Sequence, residues 1–235
     1  MVIAIDAHKL AYMALPKAGC SSVKEALARV DPSVDLPDEK DVTLYTWHNL
    51  YPTKRFRPHR FEEYEGYWRF CVVRDPIKRL LSVYTNRVLQ FGDLRNSVKL
   101  RDGRDWLPDL SREPDPDAFF QNLDAYKQAS SSIKHHAIQA WLFVGRNLAD
   151  YNKVYKTEDL GQLAYDLSLL TRQPVEMPRR NTSEAKLTLD DLKPETIDAI
   201  RPFLDEEYEF LKGYYENPLG SKLHATCAAP IRRVS

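Results

Sequence analysis

The stretch Phe70-Cys71-Val72-Val73-Arg74-Asp75-Pro76-Ile77-Lys78-Arg79-Leu80-Leu81-Ser82-Val83-Tyr84 decides how the chain folds. Four apolar residues in a row at 70–73 have no polar face, which predicts a parallel strand covered on both sides, Trp68 to Val73. Arg74-Asp75 ends the run, and Pro76 suits the first turn of a helix because its missing N–H has no intrahelical partner there. Apolar residues at 77, 80, 81, 84 and 88 then follow helical spacing. Strand, polar turn and helix in this order form half of a parallel α/β unit, with Arg74 at the carboxyl end of its strand, the usual ligand edge of an open sheet.

The same pattern precedes it. Leu10 to Leu15 reads as a strand, Pro16 closes it, and Gly19 leads to Ser21 and Ser22 as N-caps of a helix over Val23 to Val30. Between the two units, Asp31 to Asp41 is an acidic loop, Val42 to Thr46 a weak second strand, and Lys54 to Arg60 a basic loop. After the second unit, Asn96 to Asp117 reads as an irregular insertion. Helices follow over Pro116 to Ala129 and Ile133 to Phe143. Lys153 to Tyr155 forms a short strand, and Thr157 caps a helix reaching Leu170. Helix dominates the rest, apart from a loop at Pro174 to Thr182 and a flexible tail from about 218 to 235. The expected architecture is α/β: a central, mainly parallel sheet flanked by helices, in one domain over residues 1–235 with its core at about 10–215.

Composition narrows the function. Lys+Arg and Asp+Glu are equal at 34 each, so no global basic field draws nucleic acid and an anionic ligand needs local clusters. Three cysteines, Cys20, Cys71 and Cys227, are odd in number and far apart, which argues against a disulfide scaffold. No apolar run spans a bilayer, and Asp6 and Lys9 interrupt what would be the core of a signal peptide, so a cytoplasmic protein is expected. No His/Cys/carboxylate cluster has zinc spacing, and no metal is expected.

Leu15-Pro16-Lys17-Ala18-Gly19-Cys20-Ser21-Ser22 stands where a strand hands over to a helix, a junction whose free N–H groups and dipole favour an anion. Gly19 permits close backbone approach, Lys17 adds a point charge and the serines add donors. A Walker loop places lysine after its second glycine; here Lys17 precedes the glycine. An ordinary capped helix with a surface lysine is the alternative. Arg74, with Ser82 two turns along its helix, makes a second anion-ready junction, so the pair suits a ligand with two phosphate-like groups. Cys20 lacks an arginine six positions on, which disfavours a phosphatase-type thiol loop.

These segments carry a family resemblance. Lys17-Ala18-Gly19-Cys20-Ser21-Ser22 after Pro16 resembles the 5′-phosphosulfate loop of sulfotransferases, and Val72 to Tyr84 resembles their 3′-phosphate motif; the carbohydrate-modifying family 2 group is the most similar branch. Val154 to Leu160 resembles the family's late strand ending in Glu-(Asp/Asn)-Leu. Met177-Pro178-Arg179-Arg180-Asn181-Thr182-Ser183 resembles the loop that closes over the nucleotide, where Arg180 is expected to bind. The resemblance covers about residues 10 to 215; position 20 is Cys where many relatives have Thr.

The resemblance implies a P-loop-like sulfotransferase fold and 3′-phosphoadenosine 5′-phosphosulfate as donor. It implies no metal, and transfer to a hydroxyl of a carbohydrate or glycolipid acceptor, including anionic ones. Lys17 would stabilise charge on the leaving oxygen; Ala18, Gly19, Cys20, Ser21 and Ser22 would cradle the 5′ group; Arg74 and Ser82 would hold the 3′-phosphate. Related 2-O-sulfotransferases place a catalytic histidine between these motifs, which makes His48 the expected base. His135 and His136 compete, at most one of them facing the cleft because adjacent helical residues diverge by about 100°. Glu25 and Glu158 are further candidates, each with a surface or capping role as its alternative. The basic patch at 54–60 and Trp47 beside His48 are candidate acceptor contacts. A kinase of related fold and an inactive nucleotide-binding module remain as alternative functions.

Overall fold

The computed structural model describes residues 2–43, 45–101, 110–178 and 186–220. Its sheet has four strands in the order β1 (Ile3–Ile5), β2 (Leu10–Met13), β3 (Trp68–Val73) and β4 (Lys153–Lys156). β2, β3 and β4 run parallel, with Met13 opposite Cys71 and Val73 opposite Lys156. β1 is an antiparallel edge strand, Ile5 facing Leu10. Sequence patterning had not predicted it, because three residues are too short a run to show a period; a 3-10 turn at Asp6–His8 and a left-handed Lys9 (φ 50°) fold it back onto β2.

The helices are α1 (Cys20–Val30), α2 (Thr46–Leu50), α3 (Pro58–Glu62), α4 (Pro76–Val83), α5 (Val98–Arg101), α6 (Pro116–Gln121), α7 (Leu123–Ala129), α8 (Ser131–Ala137), α9 (Trp141–Val144), α10 (Leu160–Thr171) and α11 (Pro194–Phe210). A π-helical segment, Tyr84–Gln90, continues α4. Strand alternation divides the core. Leu10, Tyr12, Phe70 and Val72 point to one face, against Val23 and Leu27 of α1 and Leu163 and Leu167 of α10. Ala11, Met13, Cys71 and Val73 point to the other, against Phe61, Phe143, Val144 and Leu211. Both faces of the central strands are therefore covered, as the unbroken apolar run at 70–73 predicts. A third cluster joins α4 and the π segment to α6, α7, α8 and α11.

Several expectations are corrected. Val42 to Thr46 forms no strand among the described residues. Thr46 Oγ1 accepts the Thr43 N–H at 2.9 Å and Tyr45 O accepts the Asn49 N–H at 2.8 Å, so the backbone groups a ladder would use serve the start of α2 instead. α1 begins at Cys20, with Gly19 as its N-cap at φ 71°, so Ser21 and Ser22 lie in the first turn and do not cap it. Residues 116–129 break at Asn122 into α6 and α7. Residues 133–143 break at Ile138, whose carbonyl accepts from Arg79 Nη2 at 2.8 Å while the Ala140 N–H goes to Glu207 Oε1 at 2.8 Å. A buried ion pair there takes the backbone groups that a continuous helix would need. The end of the basic loop, from Pro58, is helical. The helix after β4 opens with a 3-10 turn at Thr157–Asp159, and the Thr157 hydroxyl donates to Glu158 and not to a helix cap.

Candidate active site

The two strand–helix junctions meet at the carboxyl ends of β2 and β3. Arg74 Nη1 donates to the Lys17 carbonyl at 3.0 Å, tying one loop to the other. They open on a cleft of about 1310 Å³ lined by Lys17, Gly19, Cys20, Ser21, Ser22, His48, Arg74, Ser82, His135 and His136, among others. The cleft thus gathers nearly every site residue expected from sequence. Ala18 is the exception: it is fully buried, and its N–H donates to the Leu15 carbonyl at 3.3 Å. Arg180 lies outside the described residues, although Met177 and Pro178 just before it line the cleft.

The loop itself is strained in a useful way. Lys17 has φ 66°, a left-handed conformation rare for a residue with a side chain, and Gly19 has φ 71°. A Cβ on Gly19 would stand 3.3 Å from Leu160 Cδ1, so glycine answers both the dihedral and the close approach of α10. The Lys17 ammonium donates to Asn86 Oδ1 at 2.7 Å, reaching the π-helical segment across the cleft. Burial, opposed by the Cys20 thiol but reinforced by the Arg74 and Arg87 charges, lowers Lys17 to about 8.

Charge distinguishes the cleft from the neutral chain. Among its described lining residues, Lys17, Arg74, Lys78, Arg87 and Lys186 are cations and Glu158 is the one carboxylate. Glu158 accepts from Tyr215 Oη at 2.7 Å and lies 3.6 Å from Lys78 Nζ. Burial pushes its pKa up, but these hydrogen bonds and the Lys78 charge outweigh burial and hold it below the usual value. Ser82, on the cleft lining, donates its Oγ proton to the Arg79 carbonyl at 2.7 Å. Such a cleft fits a small polyanion.

His48 lies deep in this cleft on α2. Its Nε2 is 2.8 Å from Ser21 Oγ and its Nδ1 is 3.0 Å from Lys24 Nζ. Burial, then the charges of Lys24, His135, Arg87 and Lys17, push it down to about 4. The competing histidines both line the cleft, which corrects the expectation that at most one would. α8 ends at Ala137, and the two rings meet edge to face at 5.0 Å, so the angular divergence of a long helix does not separate them. His136 Nδ1 donates to the Ser132 carbonyl at 2.8 Å, and burial lowers it to about 3.

Other candidates move away. Glu25 is neither a surface nor a cleft residue; it is fully buried and paired with Arg29 at 2.8 Å. Trp47 is 3% exposed and cannot stack on a sugar. Phe56 packs on Phe61 at 5.3 Å and against Gly145, so the aromatic in the basic patch anchors its loop. Sequence reading missed Lys24, Thr53, Asn86 and Arg87. Lys24 carried a readable signal, a charge in one helical row with Cys20, Leu27 and Ala28; the π-helical turn that aims Asn86 at Lys17 had none.

Residues 1–215 match the family model described as "Sulfotransferase family". Carbohydrate sulfotransferase 14 of Danio rerio is 33% identical over 100 residues, 40% of this chain and 24% of that protein. Its Mus musculus counterpart is 31% identical over 97 residues, again 40% of this chain and 24% of the relative. The match therefore spans about a quarter of the length of these relatives. No solved structure matches the chain.

Proposed function

The chain belongs to the sulfotransferase family, and from that premise we propose that it moves a sulfuryl group from 3′-phosphoadenosine 5′-phosphosulfate to a hydroxyl of a carbohydrate or glycolipid. The observation that carries this reading is the joining of two anion-ready junctions in one cationic cleft, Arg74 Nη1 to Lys17 O at 3.0 Å. A donor with separate 5′ and 3′ anionic groups matches that pairing, and a nucleotide with one phosphate site does not. The similarity to carbohydrate sulfotransferases supports a saccharide acceptor.

In this reading the backbone N–H groups at the start of α1 and the Ser21 and Ser22 hydroxyls hold the 5′-phosphosulfate, and the Lys17 ammonium meets the charge that grows on the leaving oxygen. Arg74 and Ser82 hold the 3′-phosphate, the arginine through a fork that suits a dianion. His48, 2.8 Å from Ser21, stands beside the sulfuryl position and receives the acceptor's proton. The donor's negative charge offsets the surrounding cations that depress His48 and so raises its basicity when bound.

The test is transfer from sulfur-labelled donor to a panel of saccharides and glycolipids, without metal. Labelled product is expected, with turnover roughly 10²–10³-fold lower in Lys17→Ala, the scale for losing one charge-stabilising donor. Product-nucleotide affinity should fall far less, because that charge matures only in the transition state. Equal turnover in Lys17→Ala would contradict the assignment of the loop.

A further inference from the structure

We propose that His48 and Lys24 act as one base: His48 takes the acceptor's proton at Nε2 while its Nδ1 proton passes to the Lys24 amine. The inference deepens the sulfotransfer reading and rests on it. Lys24 Nζ lies 3.0 Å from His48 Nδ1 and 2.6 Å from Thr53 Oγ1. Its side chain is fully buried, and among the described residues no carboxylate pairs with it. A buried lysine without a counter-charge holds its proton less tightly than an exposed one, and burial lowers its pKa here against the opposing pull of Cys20.

Proton bookkeeping at the ring makes Lys24 decisive. If Lys24 is an ammonium, one of its N–H groups points at Nδ1, which must then be bare. The neutral ring carries its proton on Nε2, donates to Ser21 Oγ, and has no lone pair for a substrate. If Lys24 is an amine, Nδ1–H donates to it and Nε2 is bare toward the cleft. That second state holds one proton fewer and is the competent one.

In the transfer step the acceptor O–H gives its proton to Nε2 as the O–S bond forms. The S–O bond to the 5′-phosphate breaks, and its electron pair leaves with adenosine 3′,5′-bisphosphate. The Nδ1 proton moves to Nζ, leaving an ammonium and an Nε2–H ring, which returns one proton to solvent before the next cycle. A carboxylate plays the orienting role in the serine hydrolases' triad; here an amine both orients the ring and keeps the proton. The arrangement answers a specific difficulty. Lys24 on α1, Lys17 in the donor loop, Arg87 on the π segment and His135 on α8 all act on the ring by their charge, while the Ser21 hydroxyl meets Nε2 and the Thr53 hydroxyl meets Lys24 Nζ. An imidazole so placed is a weak base alone, but the pair titrates as a unit and takes its basicity from the amine.

Nitrogen NMR of ¹⁵N-histidine-labelled protein reads the ring directly. The chain has six histidines, and His48 is assigned by the signals lost in His48→Gln. As pH rises from neutrality, the single ring proton should move from Nε2 to Nδ1 with no imidazolium between the two states. Lys24→Met should abolish that exchange and leave an ordinary imidazolium titration. In turnover, Lys24→Met should lower kcat roughly 10²-fold, the scale of general-base help, and move the acid limb to lower pH. A wild-type ring that keeps its proton on Nε2 throughout would overturn the pair. So would an acid limb that moves to higher pH, since Lys24 would then be only a nearby charge. Exchange seen without any sulfuryl transfer would support the pair and overturn the transfer reading instead.

Discussion

Three imidazoles crowd one end of the cleft, and their burial makes a prediction about pH. His48 is pushed down to about 4 and His136 to about 3, in each case chiefly by burial. The unfolded chain binds a proton on each ring near the ordinary histidine value of about 6.5, whereas the folded rings stay neutral there. Stability is therefore full above that value and falls with decreasing pH until the folded rings also protonate. Between about pH 6.5 and 4.5, above the range where most carboxylates titrate, thermal unfolding of the free protein should shift steadily downward. His136→Asn should flatten that slope, and adenosine 3′,5′-bisphosphate should weaken it by raising the folded value of His48. A melting temperature level across this interval would contradict the placement of both rings.

The element that sets the donor site is the turn from β2 into α1, and its critical position is Gly19. An alanine there must hold φ near 71° with its Cβ 3.3 Å from Leu160 Cδ1. Gly19→Ala should cost roughly 1–2 kcal/mol in urea unfolding, the penalty for a side chain in the left-handed region, and weaken bisphosphate binding as well. A neutral effect on both would mean that α1 can start elsewhere. This turn also shows what could be read beforehand. The strands at 10–13 and 68–73, their parallel pairing and the Lys17–Arg74 convergence follow from apolar runs, turn residues and helix starts, all local signals. The breaks at Asn122 and Ile138 do not, because the second depends on Arg79 and Glu207, side chains 59 and 69 positions away from it. His48 stands on a helix and not after a strand, since hydroxyls at Thr43 and Thr46 take the backbone N–H groups of Tyr45 and Thr43. The Lys24 charge was legible on its helix, but what it meets was not, because His48 and Thr53 lie more than twenty residues downstream.

Across the whole molecule, a buried ion pair joins the elements behind the cleft. Arg79 on α4 and Glu207 on α11 form an ion pair at 2.7 Å with side chains 1% and 0% exposed. Glu207 also accepts the Ala140 N–H, and Arg79 donates to Ile138 O, so two helices and the α8–α9 turn share one polar knot. Glu207→Ala leaves a buried guanidinium without its counter-charge and should cost about 3–5 kcal/mol of stability. A loss under 1 kcal/mol in denaturant unfolding would show that the knot is dispensable. Above that knot, α4 carries Arg74's turn and Ser82, and the π segment carries Asn86 to Lys17, so the two anion sites keep their spacing through the fold as a whole. The central claim is that spacing, read as a match to one nucleotide with both 5′ and 3′ groups. Titration calorimetry without magnesium tests it most directly, comparing adenosine 3′,5′-bisphosphate with AMP on wild type and Arg74→Ala. The bisphosphate should bind wild type at least about 10²-fold more tightly, as a forked, charge-assisted pairing allows, and Arg74→Ala should erase most of that preference. Equal affinity of the wild type for the two nucleotides would contradict the account.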